Sequence, residues 1–198
     1  DAVEAVFGER LPIKGCSRTD AGVHPNRSAL TLRTQRGIPC GAVVRAMNVH
    51  LPEDIAVLDC REVPEQFHPR YSCTGKRYLY RIWNAPVRNP FLADLALHWP
   101  YPLDAAALDA AAQGFLGTHD FSAFCSAGGS VEDHVRTIYR ASVTREGDLV
   151  TFSVTGNGFL YNMVRIMAGT LLQAAREQLG AAQIAAIVDG KDRSRAGL

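Results

Sequence analysis

Residues 138–154 constrain this chain most. Two runs of alternating character, 138–143 and 149–154, flank Glu146-Gly147-Asp148. Alternation at every second position belongs to an extended strand, and a short Gly-containing link folds two such strands back on each other as an antiparallel hairpin. A two-stranded hairpin is not stable by itself, so neighbouring segments have to widen its sheet or cover its apolar face. Residues 76–84 meet the first need, because Tyr78, Tyr80 and Ile82 alternate there with polar partners. The second falls to 104–115, which opens on an acid and runs apolar at helical spacing, and to 159–179, the strongest helical stretch, with Gly180 as its stop. A last short helix is predicted over 184–188, before Gly190.

The upstream part reads as a smaller set of elements. Residues 2–7 look like the last turns of a helix before Gly8, and a short strand near Ile13 leads into a polar loop, 17–26. An alternating strand over 28–33, a helix over 40–50 and a strand over 55–58 follow. The link through Pro64, His68 and Pro69 is placed at a boundary, giving subdomains 1–68 and 69–198. Because strands and helices interleave through hairpins rather than strict crossovers, the expected class is α+β with a largely antiparallel sheet.

The 198 residues are 47% apolar and 21% charged, which is globular composition. No apolar run approaches the roughly 18 residues of a membrane span. The first nine residues carry three acids rather than a basic leader, and the start on Asp1 predicts that sequence is missing upstream. Five cysteines at wide spacings, with no CxxC pair, fit neither a zinc site nor a disulfide scaffold, so reduced thiols in a cytoplasmic protein are expected. Formal charge is only +1, yet residues 14–88 hold twelve Lys or Arg against six Asp or Glu, enough for a local basic face or for scattered solvated arginines.

No P-loop, GxGxxG, HExxH or GxSxG is present, and no cofactor is expected. Phe121 and Phe124 beside His119-Asp120 favour packing over a metal pair, so no metal is expected either. Arg18, Asp20 and His24 crowd a Gly-bounded loop after an apolar strand, where active groups commonly sit. Asp20-Ala21-Gly22 is equally a tight turn with its carboxylate on backbone amides. Arg165, a charge inside Met163-Val164-Arg165-Ile166-Met167, either reaches solvent or pairs with an anion. Tyr78 is either core or a ring offered to a ligand, and Arg18 either holds phosphate or makes a structural ion pair. Phe67, Phe121 and Phe159 read as core.

Arg18-Thr19-Asp20-Ala21-Gly22-Val23-His24 resembles the catalytic loop of the tRNA pseudouridine synthase A family. Further blocks of the family follow in order: Phe67-His68-Pro69-Arg70-Tyr71-Ser72, Lys76-Arg77-Tyr78-Leu79-Tyr80, Gly117-Thr118-His119-Asp120-Phe121, Arg136-Thr137-Ile138, Phe159-Leu160-Tyr161-Asn162-Met163-Val164-Arg165 and Gly190-Lys191-Asp192-Arg193. Ser17 stands where the family usually has glycine and Pro25 where it often has alanine. Both suit a loop whose backbone avoids positive φ there. The family's N-terminal strand and its last segment are expected to lie outside this chain.

The resemblance implies two ferredoxin-like subdomains sharing a mostly antiparallel sheet with a central active-site cleft. It implies a cofactor-free isomerase that converts uridine to pseudouridine in the tRNA anticodon arm, at nucleotides 38 to 40. Asp20 would be its essential carboxylate, Arg165 the paired cation, Tyr78 the aromatic against the base, and Arg18 a phosphate or base-displacing contact. It further implies tRNA as partner, no membrane, and a homodimer. The rival expectations are a noncatalytic RNA-binding remnant and a related synthase acting at other RNA positions.

Overall fold

The computed structural model describes residues 1–129 and 131–197. The chain falls into two compact units, Asp1–Thr74 and Gly75–Leu198.

In the first unit, helix α1 (Ala2–Phe7) stops at Gly8, whose φ of 69° allows the left-handed cap in which its N–H reaches the Glu4 carbonyl at 2.8 Å. Strands β1 (Lys14–Gly15) and β2 (Leu30–Thr31) pair antiparallel. Both are shorter than the sequence predicts. Ile13 and Leu30 are each more than half exposed, so there is no buried face to hold a longer ladder together. Helix α2 (Cys40–His50) directs Val43 and Met47, with Leu51 just beyond, against Val3 and Phe7 of α1.

The strand expected over 55–58 does not form as a paired strand. Its Val57 instead meets a side chain of α2: the Val57 N–H donates to Asn48 Oδ1 at 2.7 Å, and the Val57 carbonyl accepts from Asn48 Nδ2 at 2.9 Å. One carboxamide gives Val57 the donor and acceptor that a neighbouring strand would have supplied.

The second unit is built on a five-stranded sheet in the order β4-β3-β7-β6-β5. Its strands are β3 (Lys76–Trp83), β4 (Leu97–His98), β5 (Gly117–Asp120), β6 (Val135–Glu146) and β7 (Leu149–Gly156). The β6–β7 hairpin turns on Gly147 at φ 59°. Every described pairing is antiparallel except β3 with β4, where thirteen intervening residues give the chain room to return in the same direction. The α+β class holds, and the first unit adds its own two-stranded ladder.

Period-two burial sets one face of the sheet. Val150, Phe152 and Val154 of β7 are buried, and their partners on β3 are Ile82, Tyr80 and Tyr78. Helices α3 (Ala105–Ala112), α4 (Met163–Glu177) and α5 (Ala181–Gly190) contribute to the same core. Asp104 caps α3 by accepting from the Ala106 and Ala107 N–H groups, and Leu108, Ala111, Ala112 and Phe115 form its inward stripe. In order, β3, α3, β6, β7 and α4 make the βαββα run of a ferredoxin-like unit, with β7 between the mutually parallel β3 and β6.

The α4 helix begins at Met163, four residues later than its sequence suggests. Asn162 is left-handed (φ 58°), its Nδ2 donates to Ser126 Oγ at 3.2 Å, and the Tyr161 carbonyl accepts the Ser126 N–H at 3.1 Å. These bonds commit 159–162 to a turn tied to the 125–126 loop.

Three of the sequence blocks meet in one clasp. Thr118 pairs with Thr137 and His119 with Arg136 across β5 and β6. Asp120 accepts from Ser122 Oγ at 2.5 Å and from Lys191 Nζ, just past α5, at 2.9 Å. His134 Nδ1 meets Ser122 Oγ at 3.0 Å, and His119 Nδ1 lies 3.7 Å from Asp189. The Ser122 hydrogen bond, and then that of Lys191, hold the Asp120 carboxyl at about 2, below the usual carboxylate range. His119 and Asp120 are therefore engaged in fastening β5 to α5.

Two predictions test these packing claims. A Cβ on Gly114 would strike the Ala181 carbonyl oxygen and come within 2.7 Å of Ile184 Cβ, so Gly114→Ala should cost about 1–3 kcal/mol, read as a lowered midpoint in urea. Asp120→Asn should weaken the fold by about 1–2 kcal/mol at neutral pH. A depressed carboxyl stabilises above its unfolded pKa and loses that effect as pH falls through its folded value, so the gap between wild type and Asp120→Asn should be full at pH 6 and narrow from about pH 4 towards 2. A gap that stays constant down to pH 3 contradicts the clasp.

Candidate active site

In the first unit, Arg18, Asp20 and His24 sit in the loop that joins β1 to β2. The Cys16 N–H donates to the Ala29 carbonyl at 2.9 Å and closes the base of this loop. Within it the Val23 N–H donates to the Asp20 carbonyl at 3.0 Å, and Gly22 stands at φ 76°. A positive φ at the third position is what a type II turn requires, and glycine takes it without strain. The Asp-Ala-Gly sequence thus forms a turn closed by backbone, with Asp20 exposed at its first corner. Arg18 and His24 are exposed as well. Ser17 and Pro25 are both outside the left-handed region, as their side chains require.

In the second unit the alternation of β3 puts Tyr78 and Tyr80 on the core face, opposite Val154 and Phe152. Tyr78 is half-buried and meets Phe159 edge to face, with centroids 4.8 Å apart and planes at 67°. Burial raises the Tyr80 hydroxyl above its ordinary pKa, and the Arg165 guanidinium pulls the other way, which places that cation within the field of the Tyr80 ring.

Because α4 starts at Met163, Arg165 is the third residue of the helix, in its first turn and beside the buried stripe of Met163, Ile166, Met167 and Thr170. That first turn has no acid. A cation there adds to the positive potential that the helix dipole already places at this end. The end of α4 is suited to an anion of one or more negative charges.

The structure brings Tyr78 together with Phe159, and Tyr80 with Arg165, in the second unit; Arg18, Asp20 and His24 share one loop in the first. Sequence reasoning assigned Phe159 to the core, against which it packs, and read Tyr80 as sharing the face of Tyr78 without giving it a catalytic role. The period of two that aligned Tyr80 with Tyr78 carried the signal for Tyr80. Nothing in the sequence announced the Ser126–Asn162 bond that sets where α4 begins and so places Arg165. Among the described residues no group of three or more metal-ligating side chains gathers, and no helix is long and apolar enough to cross a membrane.

Residues 111–198 match the family model described as tRNA pseudouridine synthase. The chain is 42% identical over 196 residues to the tRNA pseudouridine synthase A of Acetivibrio thermocellus, covering 99% of this chain and 80% of that protein. It is 43% identical over 190 residues to the tRNA pseudouridine synthase A of Halalkalibacterium halodurans, covering 96% of this chain and 72% of that protein. A third relative, tRNA pseudouridine synthase A 2 of Clostridium tetani, is 40% identical over 197 residues, covering all of this chain and 79% of its own length. At such identity over nearly its whole length, the chain belongs to the tRNA pseudouridine synthase A family.

Proposed function

We propose that this protein isomerises uridine to pseudouridine in the anticodon arm of tRNA, with Asp20 as the essential carboxylate. The observation that carries the reading is the 42% identity across 99% of the chain, which includes the Asp20 loop as well as the β3 and α4 residues.

The reaction breaks the bond from N1 to C1′, turns the base and rejoins it through C5. The proton lost from C5 is matched by one gained at N1, so atoms and electrons balance within the nucleotide. The chain's own groups can meet these needs. Asp20, at the first corner of its turn, acts on the ribose as nucleophile or base. Arg165 compensates the carboxylate and keeps it ionised when the bound RNA excludes water. Tyr78 stacks on the target base, a contact worth about 1–3 kcal/mol, which helps offset the cost of turning the uridine out of its stack. Arg18, exposed on the same loop as Asp20, contacts phosphate or occupies the space the base leaves. The partner is tRNA, the working form a homodimer with the RNA spanning both subunits, and the location the cytoplasm.

Four variants at three positions test the assignment on an unmodified tRNA transcript with site-resolved pseudouridine detection. Asp20→Asn should lower turnover by at least about a thousandfold and leave RNA affinity near normal; affinity lost in parallel would make Asp20 structural. Arg165→Met should reduce turnover at least about a hundredfold, and wild-type turnover would remove Arg165 from the chemistry. For Tyr78, activity that survives in Tyr78→Phe and fails in Tyr78→Ala assigns the effect to the ring, whereas failure in both assigns a task to the hydroxyl. A folded, tRNA-binding wild type that modifies no uridine would favour a binding module over an enzyme.

A further inference from the structure

The core and its helices lie on one face of the five-stranded sheet. The alternation that turns Tyr78, Tyr80 and Ile82 into that core turns Arg77, Leu79 and Arg81 to the opposite face, where all three are exposed. Register carries this face across the sheet. Arg77 is followed by Thr155 and then Arg140, and Arg81 by Thr151 and then Thr144. With the row between them, these positions hold three arginines, five hydroxyl side chains and Leu79, and no acid; Glu146 comes only in the next row, at the hairpin end. Among the described residues none of Arg77, Arg81 and Arg140 takes part in an ion pair. Strand geometry puts Arg140 about 10 Å from Arg77 across two strands, and Arg81 about 13 Å from Arg77 along β3.

A β-bulge adds an aromatic ring. Register along β6 shifts between Ile138 and Arg140, which leaves Tyr139 as the extra residue. Tyr139 is 51% exposed. Its Cε2 lies 3.7 Å from where a Cβ on Gly75 would stand, two residues before Arg77 in the same alternation. The ring therefore borders the Arg77 end of the face.

We propose that this face is a contact surface for the tRNA backbone, with Arg77, Arg81 and Arg140 on phosphates and the Tyr139 ring stacked on one unpaired base. The proposal extends the tRNA-modifying reading above and rests on it for the identity of the RNA. Three cations with no acid between them complement a polyanion, and the Ser and Thr hydroxyls among them can donate to phosphate oxygens. A second copy of the same face would instead set arginine against arginine. Away from Tyr139 the three rows carry no ring, so contact there is to the backbone and independent of sequence.

The test measures equilibrium binding of an unmodified tRNA transcript to the full chain over a series of salt concentrations. The combined variant Arg77→Gln, Arg81→Gln and Arg140→Gln should bind at least about tenfold more weakly at low salt, and log affinity should fall less steeply with log salt, by about 2–3 in slope. Tyr139→Ala should weaken binding at least about fivefold with the slope unchanged, because stacking releases no counterions, and Tyr139→Phe should restore it. Arg176→Gln, in the last turn of α4, is the control and should leave affinity and slope as they are. An unchanged slope in the triple variant overturns the proposal, as does an equal loss in Arg176→Gln. Altered sedimentation of the triple variant without RNA also overturns it, by making the face a protein interface. Binding is the readout, so a chain that holds tRNA through this face and modifies no uridine overturns the catalytic reading alone. Modification with an unchanged slope in the triple variant overturns this surface alone.

Discussion

The second unit depends on β7 being hydrogen-bonded along both edges. It pairs with β3 over eight residues and with β6 through the hairpin, so its backbone is satisfied inside the sheet and its alternate side chains are free to define the core. Val150, Phe152 and Val154 then dictate which residues of the flanking strands turn inward: Tyr78, Tyr80 and Ile82 on one side, Ala141 and Val143 on the other. A register slip of one residue would send Tyr78 and Tyr80 to the far face and turn Arg77, Leu79 and Arg81 towards the core in their place. Site placement and core packing in this unit are one constraint.

What was legible follows from how much each element owes to its own residues. The β6–β7 hairpin, α2 and the cap at Asp104 carry local signals, in alternation, in helical spacing and in a side chain that accepts from two amides, and all are found where the sequence puts them. Strand β4 has two residues and exists because β3 offers an edge, and β5 is ordered by its ladder with β6 and the Asp120 clasp. Neither has a pattern long enough to read. Residues 159–162 have helical spacing yet form a turn, because Asn162 and Tyr161 find partners in the 125–126 loop. A contact distant in sequence overrode local preference there.

The site shows the same division. The residues of the Asp20 loop could be named from sequence, and so could the choice between a turn and an exposed carboxylate. The structure makes these compatible, since the Asp20 carbonyl closes the turn while the residue stays exposed. For Arg165 the sequence offered solvent or an anion partner without a way to choose. The structure places it in the first turn of α4, exposed, at the end of the helix where the dipole is positive.

Asn48 illustrates how much can rest on the identity of one atom. Its carboxamide presents an N–H to the Val57 carbonyl and an oxygen to the Val57 N–H, a complementarity that belongs to the amide and to no acid of the same shape. Hydrolytic loss of ammonia from this side chain, the ordinary deamidation of asparagine, would set an anionic oxygen against a carbonyl oxygen and turn a mated pair into two facing acceptors. The chain would keep its length, its core and nearly its mass. Chemical ageing at this single nitrogen would nonetheless loosen the extended segment from the helix it follows.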